Sequence, residues 1–364
     1  MPSITNPKTS RRNIGMTSGM QITPLRRADI PELSQFLISS RGVPATYSLF
    51  SHEILSWKYF DGPSGPSGES VSSLIARSAG KIIGHVGICL RQFVVSGDGA
   101  MPVSTMHAID WAGSAAHPGS GAFLMLQAFA TSKTQYAVDG TTQAQALFPR
   151  LGFEQKPKLA IFHKVLAPFH RLRTTGQGLF RKWAGTAKDV AFVWRARTPP
   201  VPQAVELRSA PTFTEEIDCL QRQSSLRIVT CQRNHLLLNY FLRFPQSGFS
   251  GWTIHASRRM IGFAVLKITP QGRIQLGKIV DCWLDTEDPS CWQAAVAALV
   301  DRLRALSADD VTCYATTPSL HAALLWNGFA KSREQNVYVR DKQQSLPREL
   351  PFGFSMLDAD RAIL

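Results

Sequence analysis

Two short stretches hold residue types that could do chemistry. The first is Pro118-Gly119-Ser120-Gly121-Ala122, between a predicted strand at 101–112 and a predicted helix at 121–133. Glycines at 119 and 121 let the main chain approach a bound group closely and adopt positive φ. The helix N-terminus that follows aims free N–H groups and a partial positive charge at an anion. An ordinary turn before a core helix uses the same letters; the strand before and the helix after favour a phosphate cradle. The second stretch is Ile109-Asp110-Trp111-Ala112-Gly113, where that strand ends. Asp110 could accept a proton, and His107, three residues earlier, is the alternative. Strand side chains alternate, so the two are expected on opposite faces. His85, in a core-like strand, and His117, beside the glycine loop, are weaker candidates. G-x-S-x-G, H-E-x-x-H and Walker patterns are missing, and no metal-ligand spacing stands out, so no metal is expected.

The elements that must position these residues form an α/β chain of two similar units. The chain has 364 residues, a length that suggests about two domains. In the first unit a strand near residue 21 leads to a helix begun at Asp29-Ile30-Pro31, with Asp as cap and Pro in the first turn. Residues 62–68 form a loop, and two strands follow around Ala79-Gly80. After the strand and helix that flank the glycine loop come a strand at 135–138, a helix at 142–151 ended by Gly152-Phe153, and a closing strand at 159–165. The second unit repeats the order: strand 204–210, helix 214–223, two strands around Ser257-Arg258-Arg259 and a long strand at 272–284. Helix 289–306, strand 311–315, helix 318–326 ended by Gly328-Phe329, and a closing strand at 335–340 complete it. We therefore divide the chain into a tail (1–19), two domains (20–166 and 201–341), a connector (167–200) and a C-terminal tail (342–364).

The sequence of these elements, and the Gly-Phe after the last helix of each unit, resembles the GNAT (GCN5-related N-acetyltransferase) superfamily in tandem, over residues 20–340. Trp57-Lys58-Tyr59 followed by Gly62-Pro63-Ser64-Gly65 resembles a segment of bacterial tandem members associated with exopolysaccharide production, as does Phe354-Ser355-Met356-Leu357-Asp358-Ala359-Asp360. Pro118-Gly119-Ser120-Gly121-Ala122 resembles the pyrophosphate loop, and Phe148-Pro149-Arg150-Leu151-Gly152-Phe153 the segment that closes the acyl-CoA site. The resemblance implies two units, each with a mixed, mostly antiparallel sheet flanked by helices. It implies acetyl-CoA or another acyl-CoA as substrate, held by Trp111, Ala112, Gly113, His117, Gly119, Ser120, Gly121, Ala122 and Phe148. It implies direct attack of an amine or hydroxyl on the thioester, with Asp110 or His107 as base and a main-chain N–H of the fourth strand on the oxyanion. The acceptor it points to is a small molecule or glycan, such as an amino sugar or polysaccharide precursor.

Two departures bear on that expectation. Ala116 or Pro118 stands where the family loop often opens with Arg or Gln, and Phe148 stands at the family tyrosine that protonates the leaving thiolate. In the second unit, Asp285-Thr286-Glu287-Asp288-Pro289 replaces the glycine loop with three carboxylates, and Leu324 takes the tyrosine position. That unit reads as a degenerate half that shapes the cleft. A non-catalytic tandem module and a Fem-type aminoacyltransferase are the alternatives; the second would need aminoacyl-tRNA, and nucleic acid is not expected as a partner.

Net charge is +14, and 167–200 alone carries seven Lys/Arg against Asp189, with aromatics interleaved. Such a stretch suits a connector packed on both halves, an anionic membrane surface or a synthase partner. Six sparse cysteines without a C-x-x-C pair read as reduced thiols, and the N-terminus has no apolar core of a signal peptide, so a cytoplasmic protein is expected, at most peripheral to the inner face of a membrane. The uncharged run 111–132 is interrupted by His117-Pro118-Gly119 and reads as a loop entering a buried helix.

Overall fold

The computed structural model describes residues 19–62, 70–96, 101–173, 178–195, 205–224, 226–246 and 248–359. The tail at 1–18 and the loop beyond Gly62 lie outside them.

The first half runs β1 (Gln21–Pro24), α1 (Ile30–Arg41), α2 (His52–Phe60), β2 (Ser70–Ser78), β3 (Lys81–Val95), β4 (Val103–Gly113), α3 (Ser120–Phe129), β5 (Thr134–Val138), α4 (Thr142–Leu147) and β6 (Glu154–Val165). The connector holds α5 (His170–Arg173) and α6 (Leu179–Arg195). The second half runs β7 (Glu206–Ala210), α7 (Glu216–Arg222), β8 (Val229–Cys231), α8 (His235–Leu242), β9 (Phe249–Ala256), β10 (Arg259–Gln271), β11 (Ile274–Leu284), α9 (Pro289–Ala305), β12 (Asp310–Ala315), α10 (Pro318–Trp326) and β13 (Ala330–Asp341). A short β14 (Phe352–Gly353) follows.

Local chemistry explains most boundaries. Pro31 sits in the first turn of α1, and Gly42 at φ 62° stops it. Asp29 does not cap that helix with its side chain as expected; its carboxylate takes the Arg26 N–H (2.9 Å) and pairs with Arg77 (2.9 Å). The hairpin turns β2–β3 and β9–β10 both use paired positive φ, at Ala79-Gly80 and Ser257-Arg258. Four helices escaped the sequence reading: α2, α5, α6 and α8. Ser51 caps α2 by accepting the Ile54 N–H, and Asn234 caps α8 by accepting the Leu237 N–H.

All fourteen strands join one mixed sheet, in the order β1-β2-β3-β4-β5-β13-β6-β12-β11-β10-β9-β7, with β8 and β14 beside β3. Two pairs on that path are parallel, β4/β5 and β11/β12, and each is bridged by a helical crossover through α3 or α9. The closing strands are exchanged. β13, last of the second half, lies against β5 of the first (Val337↔Val138 to Asp341↔Thr134), while β6, last of the first half, lies against β12 of the second (Ala315↔Ala160 to Asp310↔Val165). The two exchanged strands also pair with one another.

The halves meet through a pseudo-symmetric helix pair as well. Trp57 and Tyr240 occupy the sixth position of α2 and α8, stack at 4.1 Å, and Tyr240 donates its hydroxyl to the Trp57 carbonyl (3.2 Å). Within the segment set apart above as a tail, residues 352–359 pack inside: Phe352 and Phe354 stack near Phe93, and Asp358 pairs with buried Arg233, which also holds Asp281 (2.6 Å). None of the six cysteines is in a disulfide.

Because each half completes the other's sheet, the full chain should unfold in one calorimetric transition. Residues 20–166 expressed alone should aggregate or swap strands, since β5 would lose β13 and β6 would lose β12. Two resolved transitions, or a monomeric folded fragment by size exclusion, would show the halves to be independent.

Candidate active site

β4 and β5 pair only from Thr105↔Thr134 to His107↔Tyr136, and then diverge. The divergence coincides with a bulge in β4: against β3 the register passes from Gly87↔Ile109 to His85↔Ala112. Asp110 sits in the bulge at φ 48°, a conformation that costs a non-glycine residue energy. Three side chains hold it there. Its Oδ2 accepts from Lys58 Nζ (2.8 Å) and Tyr59 O–H (2.7 Å), and its carbonyl accepts from His85 Nδ1 (3.0 Å). His85 Nε2 in turn accepts from the Ser73 hydroxyl (2.7 Å). Gly87 makes room, since a Cβ there would meet the Tyr59 ring at 2.8 Å.

The divergent strands open a cleft of about 810 Å³. Its walls include all eleven residues singled out in the sequence: His107, Asp110, Trp111, Ala112, Gly113, His117, Gly119, Ser120, Gly121, Ala122 and Phe148. Asp110 and His107 were expected on opposite faces; the bulge breaks the alternation, and both line the same cleft. The sequence reading missed several further lining residues. Arg41, whose guanidinium donates to the Trp111 carbonyl (2.9 Å), Tyr47 and Lys58 come from the α1–α2 region. Gln335 arrives on the exchanged strand β13, and Ala359 on the C-terminal segment. Of these, Lys58 had a sequence signal inside the Trp-Lys-Tyr segment and Ala359 inside the quoted C-terminal segment.

At the mouth of the cleft the glycine loop keeps donors to spare. Ser114 N–H donates to Ile83 O (2.8 Å), His117 N–H to Ser114 O (3.1 Å) and Ser120 N–H to His117 O (3.2 Å). The N–H groups of Gly119, Gly121 and Ala122 have no partner among the described residues. Gly119, at φ 90°, caps α3 without any side chain over the helix end. Trp111 Nε1 ties β4 to this turn through the Gly121 carbonyl (2.8 Å), and His117 Nδ1 is buried without a partner among the described residues. Amides, helix dipole and an unspent imidazole nitrogen together make an anion seat.

The proton-active groups are set by burial. Burial lowers His107 to a pKa of about 4, helped by the charge of Arg91, and its ring stacks on Tyr136 at 4.6 Å. Burial likewise lowers His85 to about 4, against the opposing pull of Asp110. For Asp110, burial alone would raise the carboxyl; the Lys58 ammonium and its hydrogen bond outweigh it and hold the group below the ordinary carboxylate range. Phe148 carries no proton and packs on Phe153 (5.1 Å) and Tyr338 (4.8 Å).

The second half copies the frame and changes the contents. β10 and β11 slip in register between Val265↔Asp281 and Leu266↔Ile279, and Asp285 N–H donates to Ile261 O (2.7 Å) as Ser114 N–H does to Ile83 O. Asp281 lies three residues before the end of β11, as Asp110 does in β4. Phe241 and Leu242 stand where α2 has Lys58 and Tyr59, so Arg233 serves Asp281 instead. The N-terminus of α9 is already filled: the Asp288 carboxylate accepts the Ser290 N–H (2.9 Å).

No protein-family model matches the chain, and no curated protein matches its sequence. Solved structures do match in fold. A GCN5-related N-acetyltransferase from Anabaena variabilis is 12% identical with a TM-score of 0.58, over 88% of this chain and 72% of that one. Saccharomyces cerevisiae N-myristoyltransferase with bound myristoyl-CoA is 11% identical with a TM-score of 0.56, over 93% and 87%. A tandem GNAT protein from the clavulanic acid biosynthesis pathway is 14% identical with a TM-score of 0.50, over 91% and 100%. The fold is therefore of the GNAT type.

Two predictions follow from the geometry of the site. Lys58→Met should cost about 3–5 kcal/mol in urea unfolding by leaving Asp110 buried and unpaired. Lys58→Met with Asp110→Asn should cost less than the sum of the single variants; additive losses would mean that the pair is not coupled. The second concerns pH. Both imidazoles have folded pKa values near 4, below the value of about 6.5 in an unfolded chain, so the unfolded chain binds protons first. Stability should therefore fall as pH drops from about 6.5 towards 4, by at most roughly 3 kcal/mol per group. His107→Gln should remove its share of that slope, measured by urea titration across the range.

Proposed function

We propose that this protein is an acyl-CoA-dependent acyltransferase whose cofactor is seated on the glycine loop of the first half. The observation that carries this reading is the seat at the start of α3. Three main-chain N–H groups stand unspent there, beside a gap between two parallel strands. The CoA pyrophosphate takes those donors, and its pantetheine arm enters the gap between β4 and β5. The acyl carbonyl lies along β4 near the bulge, where a main-chain N–H can meet the developing oxyanion. The acceptor enters from the side of Arg41, Tyr47 and Phe50. An amino sugar or polysaccharide precursor suits the resemblance in the Trp57-Lys58-Tyr59 segment, and one fold neighbour is a glucosamine N-acetyltransferase region of a fungal β-N-acetylglucosaminidase.

Asp110 positions the strand in this reading and does not take the proton. Its charge is spent on Lys58 and Tyr59, and its pKa is lowered. His107 is neutral but weakly basic. The acceptor must therefore arrive as a free amine or lose its proton to water, and the thiolate leaves without help from Phe148. That same lack of acid and base favours a second reading, a module that binds acyl-CoA without turning it over.

Calorimetric titration with acetyl-CoA tests the shared part. Binding should be seen and should weaken at least about tenfold in Gly121→Glu, which sets a carboxylate on the anion seat. Absence of heat and of any thermal shift would remove both readings. Release of CoA thiol with amino-sugar acceptors then separates them. Under the transferase reading the rate should rise with pH about the amine pKa of the acceptor and stay unmoved by His107→Gln. Saturable binding without thiol release would leave the module.

A further inference from the structure

α6 is mounted with its apolar side outward. Phe180, Trp183, Ala187 and Val190 recur at spacings of three, four and three, and so share one helix face. Phe180 is 86% exposed, Trp183 56% and Val190 41%, and Phe169 beside them is 59% exposed. Two polar residues off this face are buried against the protein. Asp189 is buried and takes the Arg171 guanidinium (Nε to Oδ2 2.5 Å), and Thr186 is buried next to it. A surface helix ordinarily does the reverse and turns its apolar stripe to the core. Here the Arg171–Asp189 ion pair is held against the protein and the aromatic face stands in water.

The segment that carries this face is rich in cations, although Arg173 is paired with Asp309. Residues 167–200 carry seven Lys/Arg and one acid, and that acid is the buried Asp189, already paired with Arg171. Exposed Lys188 borders the aromatic face, by the helical position it occupies, while Lys182 lies on the Asp189 side. None of the described helices is long and apolar enough to cross a membrane.

We propose that α6 and Phe169 form an anchor for an anionic bilayer surface. The aromatics enter the boundary between headgroups and acyl chains, and Lys188 at their border meets acidic headgroups. Charge argues for lipid over a second copy of this chain, because two such faces brought together would oppose like charges. The anchor is independent of the acyl-CoA reading and uses no residue of the cleft.

Co-sedimentation with vesicles tests it. The full chain should pellet with vesicles of phosphatidylglycerol mixed with phosphatidylcholine, should stay in solution with phosphatidylcholine alone, and should be released by salt. Phe180→Ser with Trp183→Ser should lower partitioning by about tenfold or more while the thermal unfolding curve stays in place, since both side chains are exposed. Should that variant unfold early, Lys188→Glu gives the same reading through charge. A chain that never pellets with anionic vesicles at low salt, or pelleting undiminished in either variant, would overturn the anchor. So would a stable dimer by light scattering that the aromatic variant returns to monomer, which would assign the face to a second copy.

Discussion

The cleft depends on one residue kept in an unfavourable conformation. Asp110 at φ 48° bends β4 away from β5, and without that bend the parallel pair would continue and no gap would open. The strain persists because three donors from two elements over-determine it: Lys58 and Tyr59 from α2, and His85 from β3. A buried Lys–Asp pair contributes little net stability compared with apolar packing, since desolvating two charges offsets most of their attraction. Its value here lies in geometry. It fixes where β4 leaves its neighbour, and therefore where a ligand can enter.

The exchanged closing strands put the same site under the control of both halves. β13 lies beside β5, which forms one wall of the gap, and carries Gln335 into the cleft. Behind it, the C-terminal segment is pinned by Arg233 between Asp281 and Asp358, and ends its described course with Ala359 on the cleft wall. The second half has no such anion seat, since Asp288 occupies the end of α9, and its strands and charges brace the first half. A helix end that carries its own carboxylate has no electrostatic reason to hold a phosphate.

Much of this was legible in the sequence, because the repeat of strand–helix order and the glycine loop are local signals. Gly119, Gly121 and the helix after them can be read from spacing alone, and so can the carboxylates that replace them at 285–288. The rest depends on contacts distant in sequence. Nothing in the spacing of His107 and Asp110 announces a bulge, so alternation predicted opposite faces. Lys58 meets Asp110 across 52 positions, and β13 meets β5 across some two hundred; neither pairing leaves a periodic trace. α2 and α8 were missed because their apolar residues face two directions, towards their own half and towards each other through Trp57 and Tyr240. The buried segment 352–359 looked like a tail because a short aromatic run carries no period.

The balance of charge separates what the surface attracts from what the cleft can do. The chain as a whole is strongly positive, +14, which draws anionic ligands towards it over several ångströms of solvent. Inside the cleft the charges cancel: Asp110 is matched by Lys58, and both nearby imidazoles are neutral through burial. A site of that kind concentrates a polyanionic cofactor at its mouth and offers its interior little pull on a proton. Any transfer chemistry it performs must then come from placing a neutral nucleophile against a polarised carbonyl, and that work falls to the main chain of β4 and not to a dedicated base.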